Sequence, residues 1–337
     1  MKIKMGLISL LGKEYLGGSS LEEGVETAGL IFNRGISHYG WPICSTLDIL
    51  GEEVRYQENV EKNVASYLKL IKYLGKLTRE VSLSIEGCEL HTPFTVSVKP
   101  SALCLVSRKE GKVEEKGNPS LDRNVKKLIA AGTQEGIRLT IDMEDHYWTS
   151  ATLKLARRMW SQGLALDMVL QSCLDRTLED VDNFLIADLP RGFDKSSTTI
   201  RACRGIYREP AEIATQNGKI AKERLYALVE KLFDAGYFVG IATHDIQLSR
   251  KIREEIIEPR GISKNRYEHQ GLKGIYSFED VIMPDALRRK EKVRLYLPLE
   301  VQQGDGQAYM RRRIAMNPEI MLNYVKDRMG RMMRKLH

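Results

Sequence analysis

The chain is poor in cysteine, in aromatic residues and in long apolar runs. Its five cysteines, Cys44, Cys88, Cys104, Cys173 and Cys203, form no CxxC pair. An odd number of scattered cysteines argues against a disulfide framework or a zinc ribbon and favours a reducing, cytoplasmic compartment. No stretch approaches the roughly 20 consecutive apolar residues of a membrane-spanning helix. The six histidines include no HExxH motif, so nothing in the sequence argues for a metal.

What remains is a globular composition with a basic end. Of the 337 residues, 42% are hydrophobic and 29% are charged, which excludes a disordered or collagenous chain. The net charge is +7, and residues 288–337 alone hold 13 Lys and Arg against 5 Asp and Glu. Such a segment can meet nucleic acid, an anionic membrane surface or an anionic ligand. The plain alternative is a solvated helix face.

Eight short runs rich in apolar and β-branched residues recur along the chain. Each has the length and composition of a strand and ends in a polar residue followed by loop signals. They are residues 43–48, 94–99, 137–142, 166–171, 198–201, 237–244, 267–270 and 293–296. Amphipathic helical patterns occupy intervals between them, as at 121–131, 151–160 and 219–235.

This alternation predicts an α/β fold with a parallel sheet. Eight units in this length suit a closed (βα)8 barrel better than an open doubly wound sheet. An open sheet usually carries a glycine-rich phosphate turn after its first strand. The nearest match here, Gly304-Asp305-Gly306, lacks the third glycine and follows the last run.

The carboxyl ends of barrel strands carry the chemistry of such folds. The residues at those ends are all polar here: Asp48, Lys99, Asp142, Gln171, Arg201, His244, Gln270 and Tyr296. Eight polar groups at one rim are costly to desolvate unless they serve a ligand or one another. The pattern indicates a polar, charged ligand without naming it.

Residues 307–316 sharpen this prediction. On a helix there, Tyr309, Arg312 and Arg313 share one face. Two adjacent guanidinium groups repel each other unless an anion lies between them, and guanidinium matches a carboxylate with two parallel hydrogen bonds. A solvated run of arginines is the alternative.

At these residues the sequence resembles the proline dehydrogenase family, the flavin enzymes of proline catabolism. The resemblance spans nearly the whole chain, from YLGG at 15–18 onward, with its motifs in the family's order. Those motifs are LDILGE at 47–52, VSVKPSAL at 96–103, IDME at 141–144, LQS at 170–172, RACRGIY at 201–207, ATHD at 242–245, EHQ at 268–270, RLYLP at 294–298 and YMRRRI at 309–314.

The resemblance implies a distorted (βα)8 barrel with non-covalent FAD at its carboxyl rim, N-terminal helices and a final helix across the top. It places eight residues at the substrate: Lys99, Asp142, Tyr207, Leu272, Tyr296, Arg312 and Arg313, with Glu52 closing the pocket through an ion pair with Arg312. It places seven at the cofactor: Gln171, Arg201, Gly205, Thr243, His244, Glu268 and Gln270.

The activity implied is oxidation of L-proline to 1-pyrroline-5-carboxylate. Hydride passes to flavin N5 and the electrons pass on to a quinone. The protein orients the imino acid and neutralises its carboxylate. Arg201 is the candidate cation beside the pyrimidine end of the flavin, with a strand-end salt bridge as its alternative.

Four positions depart from the family pattern: Ala202, Ile206, Asp245 and Met316. Met316 replaces an acid on the face of Arg312, which leaves the arginine pair less compensated. The departures keep open a divergent family member that oxidises another imino or N-alkylated amino acid. A metal-dependent barrel hydrolase is a distant alternative, because Glu144, His146 and His244 are dispersed.

The expected organisation is an N-terminal helical segment at 1–40, the barrel at 41–318 and a basic amphipathic helix at 319–337. The last helix either packs on the barrel wall or rests on an anionic membrane, where a quinone would reoxidise the flavin. A non-enzymatic protein that binds membrane or nucleic acid through this end is the remaining rival. It predicts steeply salt-dependent binding and no chromophore. The enzyme hypothesis expects no nucleic acid partner.

Overall fold

The computed structural model describes residues 14–51, 54–82, 92–105, 108–109, 112–113, 119–187 and 189–302. Eight parallel strands form a closed barrel. They are β1 (Cys44–Ile49), β2 (Phe94–Val98), β3 (Arg138–Ile141), β4 (Asp167–Gln171), β5 (Thr199–Cys203), β6 (Phe238–Ala242), β7 (Tyr267–Leu272) and β8 (Val293–Leu299). The two-residue strands Arg108–Lys109 and Lys112–Val113 pair separately.

Each barrel strand lies beside its neighbour in sequence, and β1 closes the ring by pairing with β8. Leu47 of β1 is level with Leu297 on one side and Val96 on the other. All three are fully buried, and they face the helices outside the barrel. The predicted fold class is therefore confirmed, and each of the eight predicted runs overlaps a strand.

Helices cover the outside of the barrel. They are α1 (Leu21–Tyr39), α2 (Gln57–Ser82), α3 (Pro119–Glu135), α4 (His146–Trp160), α5 (Thr177–Asp180), α6 (Gly218–Ala235), α7 (Ile246–Ile252) and α8 (Met283–Arg288). A short 3₁₀ turn, Pro100–Ala102, follows β2. Wider π-helical turns extend α5 over Val181–Ile186 and α7 over Arg253–Ile257, and a third, Ser277–Ile282, precedes α8.

The ends of α6 show why the sequence forms this helix. The Asn217 side chain accepts hydrogen bonds from the backbone N–H groups of Lys219 and Ile220. At the other end, Gly236 has a φ of 93° and caps the last turn. The predicted helix at 219–235 is thus confirmed. Within the described residues, no helix is long and apolar enough to cross a membrane.

The inside of the barrel is polar. Thr46 and Thr95 share a hydrogen bond of 2.7 Å there, and Arg294 reaches across to the Thr95 hydroxyl at 3.4 Å. Barrels of this type are commonly filled with branched apolar side chains. The apolar core of this protein lies instead between the strands and the surrounding helices. Charged groups inside must therefore satisfy one another.

One charged cluster lies outside the barrel wall, behind β7. His269 is 2% exposed and its Nε2 lies 3.0 Å from Glu291 Oε2, while Arg289 Nε donates to Glu291 Oε1 at 3.0 Å. Burial alone would raise the pKa of Glu291. Hydrogen bonds from His269 and Arg289 outweigh it and hold that pKa at about 2.

We expect Glu291→Gln to lower the free energy of unfolding by about 2–3 kcal/mol at pH 7. A carboxyl pKa below its ordinary 4.5 stabilises the folded state above pH 4.5. That contribution is lost as the pH falls towards 2. Urea unfolding at several pH values measures the difference in free energy of unfolding between the wild type and the variant. This difference should disappear as the pH falls from 4.5 towards 2. Glu26→Gln, on the exposed face of α1, is the control. An equal effect in both variants contradicts the prediction.

Candidate functional site

Asp142, just after β3, is the centre of a cluster at the carboxyl rim of the barrel. Ser97 Oγ donates to its Oδ1 at 2.5 Å and Tyr296 OH donates to its Oδ2 at 2.8 Å. Arg201 Nη1 donates to Oδ1 at 3.0 Å, and Lys99 Nζ lies 3.6 Å from Oδ2. Three strands, β2, β5 and β8, thus direct four side chains at one carboxylate. Of the predicted substrate residues, the structure brings Lys99, Asp142 and Tyr296 together.

The charges in this cluster are set by their neighbours. Burial raises the pKa of Asp142, but Lys99 and Arg201 more than offset it, so that the net shift is downward. Asp142 is therefore ionised at neutral pH. Burial, and then the Asp142 charge, raise the pKa of Tyr296 well above its ordinary value. Tyr296 is accordingly a neutral phenol that donates a hydrogen bond.

A second carboxylate, Asp48, lies behind Lys99. Asp48 is fully buried on β1 and forms an ion pair with Lys99 Nζ. Tyr67 OH, from α2, lies 3.4 Å from Asp48 Oδ1. Burial raises the pKa of Asp48 to about 6; Lys99 opposes this shift and Asp142 adds to it. Asp48 was predicted as a strand-end residue but not as a residue of the site.

A chain of hydrogen bonds runs from the rim along the barrel axis. Arg201 Nε donates to Gln270 Oε1, and Gln270 Nε2 donates to Glu268 Oε1, both at 2.6 Å. Arg294 Nε donates to the same Glu268 oxygen at 2.6 Å. Glu268 thus lies below Gln270, away from the rim, and supports the Gln270 amide. The Arg201 guanidinium also lies 5.2 Å from the centroid of the Tyr296 ring.

Gly205, in the loop after β5, lies against β4. Its φ is 98°, and a Cβ there would lie 2.5 Å from Cys173 Sγ and 2.9 Å from Gln171 Oε1. Only glycine fits such a close approach in this conformation. Gln171 is fixed from its other end, since its Nε2 donates to the Glu144 carbonyl at 2.8 Å. The two predicted cofactor residues, Gly205 and Gln171, are therefore neighbours.

The ends of β6 and β7 are joined by His244. Its Nε2 accepts a hydrogen bond from the Leu272 backbone N–H at 3.0 Å. An accepting Nε2 leaves the proton of a neutral imidazole on Nδ1. Thr243 Oγ1 accepts from Asp245 N at 3.1 Å, and Asp245 caps α7 by accepting from Leu248 N at 2.9 Å. The departure at Asp245 thus has a structural role as a helix cap.

Two further named residues, Tyr207 and Ala202, follow Arg201 in the chain. Tyr207 is partly exposed in the loop after β5. Ala202, on the face of β5 opposite Arg201, lies in the apolar core. Glu52, Tyr309, Arg312, Arg313 and Met316 lie outside the described residues, as does the final helix. Their roles stay predictions.

Two residues of the distant hydrolase alternative have other partners. Glu144 accepts from Ser101 Oγ at 2.5 Å, and His146 Nδ1 lies 2.5 Å from Glu209 Oε2. In the described part of the chain, no group of three or more His, Cys, Asp or Glu side chains could hold a metal ion.

Comparison with known proteins gives the family. The sequence model of the Proline dehydrogenase family matches residues 37–321. The chain belongs to the proline dehydrogenase family. It is 26% identical over 311 residues to a proline dehydrogenase of Deinococcus radiodurans, covering 91% of this chain and 86% of that one. It is 24% identical over 307 residues to proline dehydrogenase 2 of Bacillus subtilis, covering 90% and 86%.

Solved structures of proline utilization A (PutA) share the fold. A Bdellovibrio bacteriovorus PutA inactivated by N-propargylglycine superposes with a TM-score of 0.74 at 18% identity, covering 91% of this chain and 32% of that one. A variant PutA of Bradyrhizobium japonicum gives 0.69 at 19% identity, covering 90% and 30%. This family member therefore spans about a third of those PutA chains.

We expect Asp142→Asn to lower the free energy of unfolding by about 2–4 kcal/mol, because the buried cations Lys99 and Arg201 lose the partly buried carboxylate that balances them. Ser97→Ala removes one donor to the same carboxylate and leaves the charges in place, so about 1 kcal/mol is expected. Urea unfolding at pH 7 compares the two variants. Equal losses would show that the charge pairs add nothing beyond a single hydrogen bond.

Proposed function

We propose that the protein oxidises L-proline to 1-pyrroline-5-carboxylate with FAD and passes the electrons to a quinone. Membership of the proline dehydrogenase family supports proline oxidation. The observation that carries the finer proposal is the Asp142 cluster. It holds a lysine, an arginine and a neutral tyrosine in fixed positions at the carboxyl rim, where barrel enzymes have their active sites.

The described residues fit a flavin. When bound, FAD supplies the hydride acceptor at N5. Arg201 is held by Asp142 and Gln270 independently of any ligand, and its charge would stabilise a reduced, anionic flavin. Gly205 packs closely against Gln171 and so helps to fix the side chain of this predicted cofactor residue. Thr243 and His244 would complete the cofactor site, the latter through its Nδ1–H.

The substrate side of the proposal joins the rim to the last part of the chain. Lys99 and Tyr296 would face the imino acid, with Tyr207 and Leu272 beside it. Arg312 and Arg313 would bind its carboxylate and Glu52 would close the pocket, as the family motif indicates. The electron acceptor and any membrane contact through residues 319–337 belong to the same proposal.

A second candidate is oxidation of a different imino or N-alkylated amino acid. It is favoured by Ile206, which is partly exposed and lies directly between Gly205 and Tyr207 in the rim loop. Isoleucine is bulkier than the alanine that the family commonly has at this position, and so would change the shape of the pocket around the ring of the imino acid. The cofactor and the chemistry are the same in both candidates.

The first experiment is an absorbance spectrum of the purified protein, followed by anaerobic addition of L-proline. We expect flavin bands that bleach on addition, because hydride transfer reduces the bound flavin. Flavin bands that persist with proline but bleach with another imino acid would select the second candidate. A colourless protein that takes up no added FAD would contradict the proposed flavin enzyme. Binding of membrane or nucleic acid through the basic C-terminal segment would then be the hypothesis to test.

Arg312→Met and Arg313→Met, made separately, test binding of the carboxylate. Each is expected to raise KM for proline by roughly 10- to 100-fold, because a charge-assisted hydrogen bond to an anion is lost. Arg311→Met is the matched control, since Arg311 does not share the face of Tyr309, Arg312 and Arg313 on a helix. Steady-state kinetics measure the three variants. An unchanged KM in both test variants contradicts the carboxylate site.

A further inference from the structure

Oxidation of an imino acid needs a place for a proton. At neutral pH the ring nitrogen of proline is a secondary ammonium, which has no lone pair. Hydride can leave the adjacent carbon only when the nitrogen pair is free to form the C=N bond. A group in the site must therefore accept a proton from nitrogen before or during hydride transfer. The inference below rests on the proposed function.

Two ionisable groups of the rim are poorly suited to this task. Asp142 is held ionised by Lys99 and Arg201, and it already accepts hydrogen bonds from Ser97 and Tyr296. Its lowered pKa makes it a weak base. Tyr296 is a neutral phenol whose pKa is raised well above its ordinary value, so it carries no charge with which to attract a proton.

Asp48 is placed differently. It is fully buried and cannot touch a substrate itself, but it forms an ion pair with Lys99, which follows β2 at the rim. Lys99 Nζ lies between Asp48 and Asp142. The whole Lys99 residue is only 6% exposed. Among the described residues, Lys99 is thus the only cation that contacts both carboxylates. Its ammonium group lies between Asp48 and the Asp142 cluster at the rim.

We propose that Asp48 is the acceptor of the substrate ammonium proton, which it receives through Lys99. The N–H bond of the substrate breaks, and its electron pair stays on the ring nitrogen. The proton binds Lys99 Nζ as Lys99 releases one of its own protons to Asp48 Oδ2. Lys99 is an ammonium before and after, Asp48 becomes a neutral acid, and the substrate nitrogen becomes neutral. The total charge is unchanged and nothing is oxidised in this step.

The groups that face Asp48 agree with this role. Burial and the neighbouring Asp142 charge raise its pKa, Lys99 lowers it, and the outcome is about 6. The Tyr296 hydroxyl, which donates to Asp142, also lowers the pKa of Asp48. From α2, Tyr67 OH lies 3.4 Å from Asp48 Oδ1. Asp48 is therefore ionised above pH 6 yet basic enough to hold a proton transiently.

The test uses the full-length FAD-loaded protein and the variant Asp48→Asn, which keeps the shape but cannot take up a proton. We expect kcat for proline to fall by roughly 100-fold or more. The acid limb of the wild-type kcat/KM profile, near pH 6, should disappear. Tetrahydrofuran-2-carboxylate, in which oxygen replaces the ring nitrogen, has no proton to give. Its Kd should stay within about threefold of wild type, since the pocket is intact.

Tyr67→Phe is the second variant. It removes a hydroxyl that lies 3.4 Å from Asp48 Oδ1 and 3.3 Å from the Ile49 carbonyl and is shared between these two acceptors, and it leaves the carboxylate and Lys99 in place. Loss of a donor to the ionised form raises a carboxyl pKa. The acid limb should therefore move to higher pH, while kcat at its plateau stays close to wild type. This variant tests the proposal even where Asp48→Asn fails to fold.

Three results would overturn the proposal. One is an Asp48→Asn variant that keeps the acid limb. Another is loss of tetrahydrofuran-2-carboxylate binding in parallel with kcat, which would show that Asp48 only positions Lys99. The third is an acid limb unchanged in Tyr67→Phe. A wild-type protein that does not bleach with any imino acid instead contradicts the proposed function, and the two failures are distinguished by this wild-type reaction.

Discussion

Partial burial of the Asp142 carboxylate, whose side chain is 14% exposed at the rim of the closed barrel, is the constraint on which the site depends. A buried carboxylate is costly unless charges and donors surround it. Its donors come from Ser97 of β2, Arg201 of β5 and Tyr296 of β8, which are not all neighbours in the ring. They can meet only if the ring is closed and each strand keeps its register. The charge cluster and the barrel geometry therefore support each other.

The chain of hydrogen bonds along the barrel axis fixes Arg201 from the side away from the rim. Arg294 and Glu268 lie deep in the barrel, and Gln270 connects them to Arg201. Gly240 allows this arrangement, because a Cβ there would lie 2.5 Å from Gln270 Nε2. The orientation of the Arg201 guanidinium is thus determined by the protein before any ligand binds. A site built in this way loses little free energy to reorganisation when charge develops in it.

Much of this could be predicted from the sequence, for reasons that also set the limit. Apolar β-branched runs form strands, and parallel strands bring their carboxyl ends together, so Lys99, Asp142 and Tyr296 were predicted in one place and lie there. The strand-end pattern does not predict how far along the barrel axis a side chain lies. It could not show that Glu268 lies below the rim, nor that Asp48 of β1 forms an ion pair with Lys99 at the end of the neighbouring strand β2. Those contacts depend on register and on side-chain reach, which no local pattern contains.

Alternation along β5 could have been used further. Arg201 faces the inside of the barrel, so Ala202 must face the helices, and it lies in that apolar core. Its small size therefore concerns packing of the barrel wall, whereas Ile206 lies in the rim loop. Of these two departures from the family pattern, only Ile206 therefore supports the proposal of a different substrate.

The charge balance of the described cluster bears on how the proposed site would attract a carboxylate. Asp48 and Asp142 balance Lys99 and Arg201, so these four side chains are neutral together. A neutral cluster can orient a cofactor and move a proton, but it has little net attraction for a carboxylate. That attraction would have to come from added positive charge, which the run Arg311-Arg312-Arg313 carries in sequence. Changes near that run, such as Met316, can then alter substrate affinity while the buried charge balance inside the barrel stays intact.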